Sequence, residues 1–183
     1  VKEAIAVLRG EGPADLRELC LELGSRMLAL GGAERDFASG RKRLEQLLVS
    51  GKALDKFREL VHNQGGDARL VDRPELLPTA KIQQEVESQK SGWITEIDTA
   101  GIGKAAQILG AGRSKKGESI DLAVGLEVLA KPGEWIEAGQ PLAVIHANSA
   151  AKAEVAREAV SSCYSIGETK KEPLPLICGQ IGK

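Results

Sequence analysis

Residues 110–147, GAGRSKKGESIDLAVGLEVLAKPGEWIEAGQPLAVIHA, decide how this chain is read. A glycine-rich basic loop, Gly110 to Gly117, leads into an expected strand at Gly125 to Ala130. Turns follow at Lys131-Pro132-Gly133 and Glu137-Ala138-Gly139, then a second strand at Pro141 to Ala147. Proline presets the backbone angle that opens a turn, and glycine accepts the conformation that closes one. Apolar runs separated by such signals predict a small, sharply folded β unit. No nucleophile, base and oxyanion donor stand together within it.

Upstream of that unit the pattern is strand-like from Ala80. Ile82, Gln84 and Val86 share one face, and Ser91-Gly92 turns the chain into a strand at Trp93 to Ile97. Asp98 or Thr99 is placed to cap a helix at Ala100 to Leu109, with Ile102, Ala105, Ala106 and Leu109 as its apolar stripe. Downstream, a helix is expected at Ala150 to Tyr164, a loop at Ile166 to Pro173 and a last strand at Leu174 to Ile181. Residues 1–66 read as helices: Val1 to Leu8, Ala14 to Leu30, Glu34 to Val49 and Ala53 to Asn63, each stopped by glycine or started after proline. Gly24 and Gly40 fall inside these helices, which points to close packing. Pro74 and Pro78 mark residues 67–79 as a linker, leaving 80–183 as a second domain. The expected class is α+β.

Composition narrows function by exclusion. A formal net charge of −1 gives no general pull toward phosphate backbones or anionic lipid. Phe, Trp and Tyr are too few for a base-stacking surface, and no apolar run is long enough to cross a bilayer. Cys20, Cys163 and Cys178 form no metal motif and sit in apolar surroundings, as expected of a reduced, cytoplasmic protein. The chain opens on Val1 inside a helical pattern, which reads as part of a longer protein.

The basic loop invites a phosphate reading, since backbone N–H groups with Arg113, Lys115 and Lys116 can surround an anion. Its order fails the P-loop pattern, and it follows a helix where phosphate loops precede one. A solvated connector fits that order better. His62 and His146 lack partners at ligand or triad spacing, and Glu18 with Glu22 reads as a solvated helix face near Arg26. PGEWIEAGQPLAVI is similar to the hammerhead of biotinyl and lipoyl carriers, but His146-Ala147-Asn148 follows Ile145 where the modifiable lysine would stand.

VKEAIAVLRGEGPADLRELCLELGSRM, QGGDARLVD, LPTA, GIGKAAQILGAGR and IDLAVG, taken in order, resemble pyrimidine-nucleoside phosphorylases and the closely related thymidine phosphorylases. The resemblance implies a parent enzyme that cleaves uridine or thymidine with phosphate to free base and pentose 1-phosphate. It implies a homodimer in which a small helical domain and a larger α/β domain close over the substrates, with no organic cofactor. The family's KxSTGG-like phosphate loop and its pyrimidine-holding residues lie upstream, and none occurs in these 183 residues. The chain thus looks like the C-terminal part only: a helical segment of the large α/β domain followed by a C-terminal α+β domain with a hammerhead-like, barrel-sandwich-like β unit. No catalytic or substrate-binding residue carries over. Glu3 in VKEAI matches the family's glutamate ligand for a monovalent cation such as potassium. Arg113, Lys115 and Lys116 are expected at the edge of the parent's cleft. The other class of function open to this pattern is a non-catalytic structural or interaction module. In either class the isolated chain is expected to be inactive, with no nucleic-acid or membrane partner.

Overall fold

The computed structural model describes residues 1–113 and 115–181. The architecture is α+β, and the described residues divide into two compact units, residues 1–76 with 176–181, and residues 77–175.

The first unit holds α1 (Lys2–Arg9), α2 (Ala14–Leu30), α3 (Phe37–Val49) and α4 (Lys52–Asn63). Pro13 sits immediately before α2, where a missing N–H costs nothing, and Gly31 ends it. α3 begins later than its apolar pattern suggests. Asp36 accepts from the Ser39 N–H at 2.8 Å, and Ser39 Oγ accepts from the Asp36 N–H, a reciprocal cap that fixes the first turn. The glycines inside these helices do mark close packing: a Cβ on Gly40 would lie 2.9 Å from the Ser25 carbonyl oxygen. Arg41 then bridges back from α3 to α2, donating to both Glu18 oxygens at 2.6 Å. That guanidinium holds the Glu18 carboxyl below its ordinary range.

Residues 67–79, expected as a connector, contain two 3-10 turns, Ala68–Val71 and Pro74–Leu76. Val71 is buried, and its carbonyl accepts from Arg9 Nη2 at 2.6 Å. Proline stops an α-helix but is compatible with a short turn, so the stretch folds onto the helices before it.

The second unit carries β1 (Ile82–Glu87), β2 (Gly92–Ile97), α5 (Thr99–Leu109), β3 (Gly125–Val128), β4 (Trp135–Ile136), β5 (Pro141–Ala147), α6 (Ala150–Ser162) and β6 (Tyr164–Gly167). They form two antiparallel three-stranded sheets, ordered β1-β5-β3 and β4-β2-β6. The two turns join them through backbone bonds. Gly133 N–H donates to Ile94 O and Gly139 N–H to Ser88 O, each at 2.8 Å. Both glycines hold the left-handed conformation, φ +88° and +87°. α5 and α6 cover the first sheet, burying Ile145, Val160 and a bed of alanines, Ala105, Ala143, Ala153 and Ala156. A smaller cluster of Ile94, Ala130, Ile136 and Leu142 serves the second sheet. Tyr164 lies beside both clusters and donates to Leu142 O at 3.0 Å; burial, then the neighbouring Cys163, pushes its phenol up to about 12.

Three expectations are corrected. Leu174 to Ile181 forms no strand: prolines 173 and 175 remove amide donors, and no sheet edge is paired with the segment. A strand lies instead at Tyr164–Gly167, overlapping the expected loop, because β2 offers it an edge. Of the cysteines only Cys163 is buried, while Cys20 and Cys178 are exposed.

Candidate functional site

The basic loop leaves the C-terminus of α5 and is drawn into a ring. Gly110 caps the helix, and its carbonyl accepts from the Asp121 N–H at 3.0 Å, closing the loop at its base. Inside, Gln107 Nε2 donates to Arg113 O at 2.6 Å, and Arg113 Nε donates to Glu118 O at 3.0 Å. The Lys115 N–H donates to the Glu118 carboxylate at 3.2 Å. The loop is therefore held by specific bonds at these points and is more than a solvated connector. Arg113, Lys115 and Lys116 all face solvent. Ser114, in the middle of the loop, lies outside the described residues.

Asp121 is the anchor. Its carboxylate accepts from Asn148 Nδ2 at 2.8 Å and from the Ala123 N–H at 3.0 Å. Asn148 in turn accepts from the Lys81 N–H at 3.0 Å, tying the loop base to the starts of β1 and α6. Between ring and helix lies an open depression of about 410 Å³ lined by Gln107, Gly112, Asp121, Asn148, Ser149 and Lys152. The hollow is polar, with Glu118, Asp121 and Lys152 as its charged lining, and Arg113, Lys115 and Lys116 lie outside that lining.

Hydrogen bonds from Asn148 and Ala123, then the charge of Lys152, hold the Asp121 carboxyl below its ordinary value. A depressed carboxylate contributes above the unfolded-state range and is lost as pH falls through the folded value. Hydrogen exchange at the Ala123 amide, relative to an unstructured peptide, should lose protection on acidification below roughly pH 4. Asp121→Asn should flatten that dependence. An unchanged dependence in Asp121→Asn would assign it to another group.

The other candidate residues are not gathered here. Glu3 lies exposed in the first turn of α1, in the helical unit. Among the described residues no three His, Cys, Asp or Glu side chains cluster as a metal site would require. Glu3 supplies one of the several oxygens a hard cation needs, so these residues alone do not make the site. His62 is exposed at the end of α4, and His146 Nε2 lies 3.5 Å from Glu127 Oε2 across strands. Glu22 pairs with Arg26 as its spacing predicts, while Glu18 turns instead to Arg41. After β5 the chain enters α6 through the Ser149 cap, so the carrier hairpin with its lysine has no counterpart there. Gln107 and Asp121 lie within stretches that carry the family resemblance, yet neither they nor Asn148 are expected as site residues until the fold assembles them.

Two antiparallel sheets with covering helices and a bonded basic loop make the second unit a small α+β domain. The family described as pyrimidine nucleoside phosphorylase C-terminal domain matches residues 93–167, and the chain is similar to the C-terminal portion of pyrimidine-nucleoside phosphorylases. It is 42% identical over 174 residues to a pyrimidine-nucleoside phosphorylase of Bacillus subtilis (strain 168), covering 95% of this chain and 40% of that protein. Enzymes of the same name from Staphylococcus epidermidis (strain RP62A) and Staphylococcus aureus (strain USA300) are 47% and 45% identical over 149 and 148 residues, 81% of this chain and 34% of theirs. The chain thus spans well under half the length of these relatives. No helix among the described residues is long and apolar enough to cross a membrane.

Proposed function

We propose that this chain is the C-terminal part of a pyrimidine-nucleoside phosphorylase whose intact form reversibly phosphorolyses uridine or thymidine to free base and pentose 1-phosphate. The observation that carries this is the 42% identity sustained over 95% of the chain. In the intact protein, phosphate attacks the anomeric carbon as the base departs, without a covalent enzyme intermediate. Cationic and hydroxyl groups stabilise the charge developing on the base. The residues that hold phosphate and pyrimidine lie in the upstream part, and the 110–121 ring with Arg113, Lys115 and Lys116 borders the cleft. The first unit is a helical segment of the large α/β domain, and the second carries the hammerhead-like β unit. The intact enzyme is a cytoplasmic homodimer without an organic cofactor, using Glu3 within a potassium site.

The isolated chain should release no uracil from uridine and phosphate. A chimera carrying it in place of the matched residues of the Bacillus subtilis relative should do so. In that chimera, replacing Arg113, Lys115 and Lys116 by alanine removes three partly screened charges and should raise KM for phosphate or nucleoside roughly 5- to 30-fold. Unchanged kinetics would remove the loop from the cleft, and uracil release by the isolated chain would overturn its dependence on upstream residues.

The second reading, a non-catalytic structural or interaction module, is favoured by one observation: both buried apolar clusters lie within the second unit. An inactive but well-folded chimera would support it.

A further inference from the structure

α2 is apolar on two opposite faces, and only one is partnered. Leu21 and Ser25 are each 2% exposed, and Ser25 meets Gly40 of α3. At about 100° per residue, Leu16, Cys20, Leu23, Met27 and Leu30 form a separate stripe roughly 150° away. They recur at alternating spacings of four and three, the pattern of a helix packing seam. Leu23, Met27 and Leu30 are 52%, 72% and 85% exposed, Cys20 is exposed beside them, and Leu16 at the start of the stripe is half-buried. Single exposed apolar side chains are ordinary, but a continuous stripe along a helix marks an interface.

The rest of the first unit points the same way. Among the described residues its buried apolar side chains are Ile5, Val7, Leu21 and Val71, and neither buried cluster lies within it. Val1, Val49 and Leu60 are exposed as well. A helical unit of this size needs a larger apolar interior than these side chains supply. The relative that matches 95% of this chain extends well beyond the matched region.

We infer that the Leu16–Leu30 stripe of α2 is an internal docking face, covered in the intact protein by an apolar surface of the polypeptide that precedes the matched region. This rests on the chain being the C-terminal part of a longer phosphorylase. The occupant is a segment of that same enzyme and not a second copy of this chain: the matched region makes up 40% of the relative, leaving ample sequence to complete the interior. α2 is then a core helix of the larger domain, its Gly24 and Ser25 face set against α3 and its stripe against upstream structure.

Cys20 supplies the probe. Maleimide labelling followed by peptide mapping should modify Cys20 readily in the isolated 183-residue chain. In the chimera with the Bacillus subtilis upstream part, labelling should be at least about tenfold slower, since it must await local opening. Leu23→Lys with Met27→Lys should leave the melting of the isolated chain unchanged and lower that of the chimera, whereas Val155→Lys on the exposed face of α6 should affect neither. Equal labelling in both proteins would overturn the inference. So would failure of the chimera to accumulate while both parents do. A dimeric isolated chain with protected Cys20, made monomeric by the double substitution, would assign the face to a second copy and overturn the assignment. Uridine phosphorolysis assayed on the same chimera separates the two ideas. Protected Cys20 without activity sinks only the enzymatic reading, and activity with freely reactive Cys20 sinks only the docking face.

Discussion

Ile145→Ala should lower the unfolding free energy of the 77–175 unit by about 2–5 kcal/mol, toward the upper part of that range. Ile145 lies at the middle of β5, paired with Gln84 on one side and Leu126 on the other, and its side chain is fully buried. Truncation removes three carbons from the apolar core and leaves a void. The size of the penalty depends on how far the walls can relax. Here they include Ala105, Ala143, Ala147, Ala153 and Ala156, short side chains with no rotamers that could swing into the gap. Closing it would require α5 or α6 to move toward the sheet, yet each is tied at its start, by the Asp98 and Ser149 caps. Ile145→Val should cost only about 0.5–1.5 kcal/mol, and Val155→Ala, on an exposed face, should stay within about 0.5 kcal/mol. The chain's two tryptophans, Trp93 and Trp135, both belong to this unit with ring centroids 5.4 Å apart, so urea unfolding followed by tryptophan fluorescence reports this unit. A loss below 1 kcal/mol for Ile145→Ala would mean the helices are free to collapse onto the sheet.

What could be read from sequence was what local chemistry determines. The α2 boundaries at Ala14 and Leu30 and the β5 boundaries at Pro141 and Ala147 agree with expectation, because proline, glycine and alternation act within a few residues. Of the two residues expected to cap α5, Asp98 does so, its carboxylate accepting from the Gly101 N–H at 3.0 Å, and Thr99 is the first residue of the helix. What failed depended on partners distant in sequence. Tyr164–Gly167 is a strand because β2 lies beside it, and Leu174 to Ile181 is none although its apolar residues suit one. The apolar neighbours of Cys20 suggest a buried setting, but Leu23, Met27 and Leu30 prove to share its exposed stripe while Leu21 is buried on the other face. The candidate site divides in the same way. Arg113, Lys115 and Lys116 were visible as a basic, glycine-rich run. Their supports Gln107, Asp121 and Asn148 are spread over 42 positions of sequence and meet only once α5, the loop and the β5–α6 junction are folded.

Gly40→Ala should destabilise the helical unit although alanine is the better helix former. In an exposed helix this change gains about 1 kcal/mol of propensity. In α3 the added Cβ would stand 2.9 Å from the Ser25 carbonyl oxygen and 3.1 Å from Ser25 Cα, atoms of the α2 backbone that no rotamer change can move. Overpacking of this kind costs about 1–3 kcal/mol, leaving a net loss of up to about 2 kcal/mol, and Gly40→Val should reach the upper end of the overpacking range. Gly24→Ala provides the contrast. Its Cβ would meet Leu44 Cδ1 at 2.8 Å, the tip of a flexible side chain, so the propensity gain should roughly balance the repacking. Hydrogen exchange of the α2 and α3 amides can measure both variants in the whole chain, with the tryptophan-bearing unit as an internal reference. Equal effects from the two alanines would show that α2 and α3 are not held at backbone contact. Unequal effects of the expected sign would show that the Ser25–Gly40 contact fixes the roll of α2. That roll directs Cys20, Leu23, Met27 and Leu30 away from α3, so the same contact that closes one face of the helix determines which face is left to be covered.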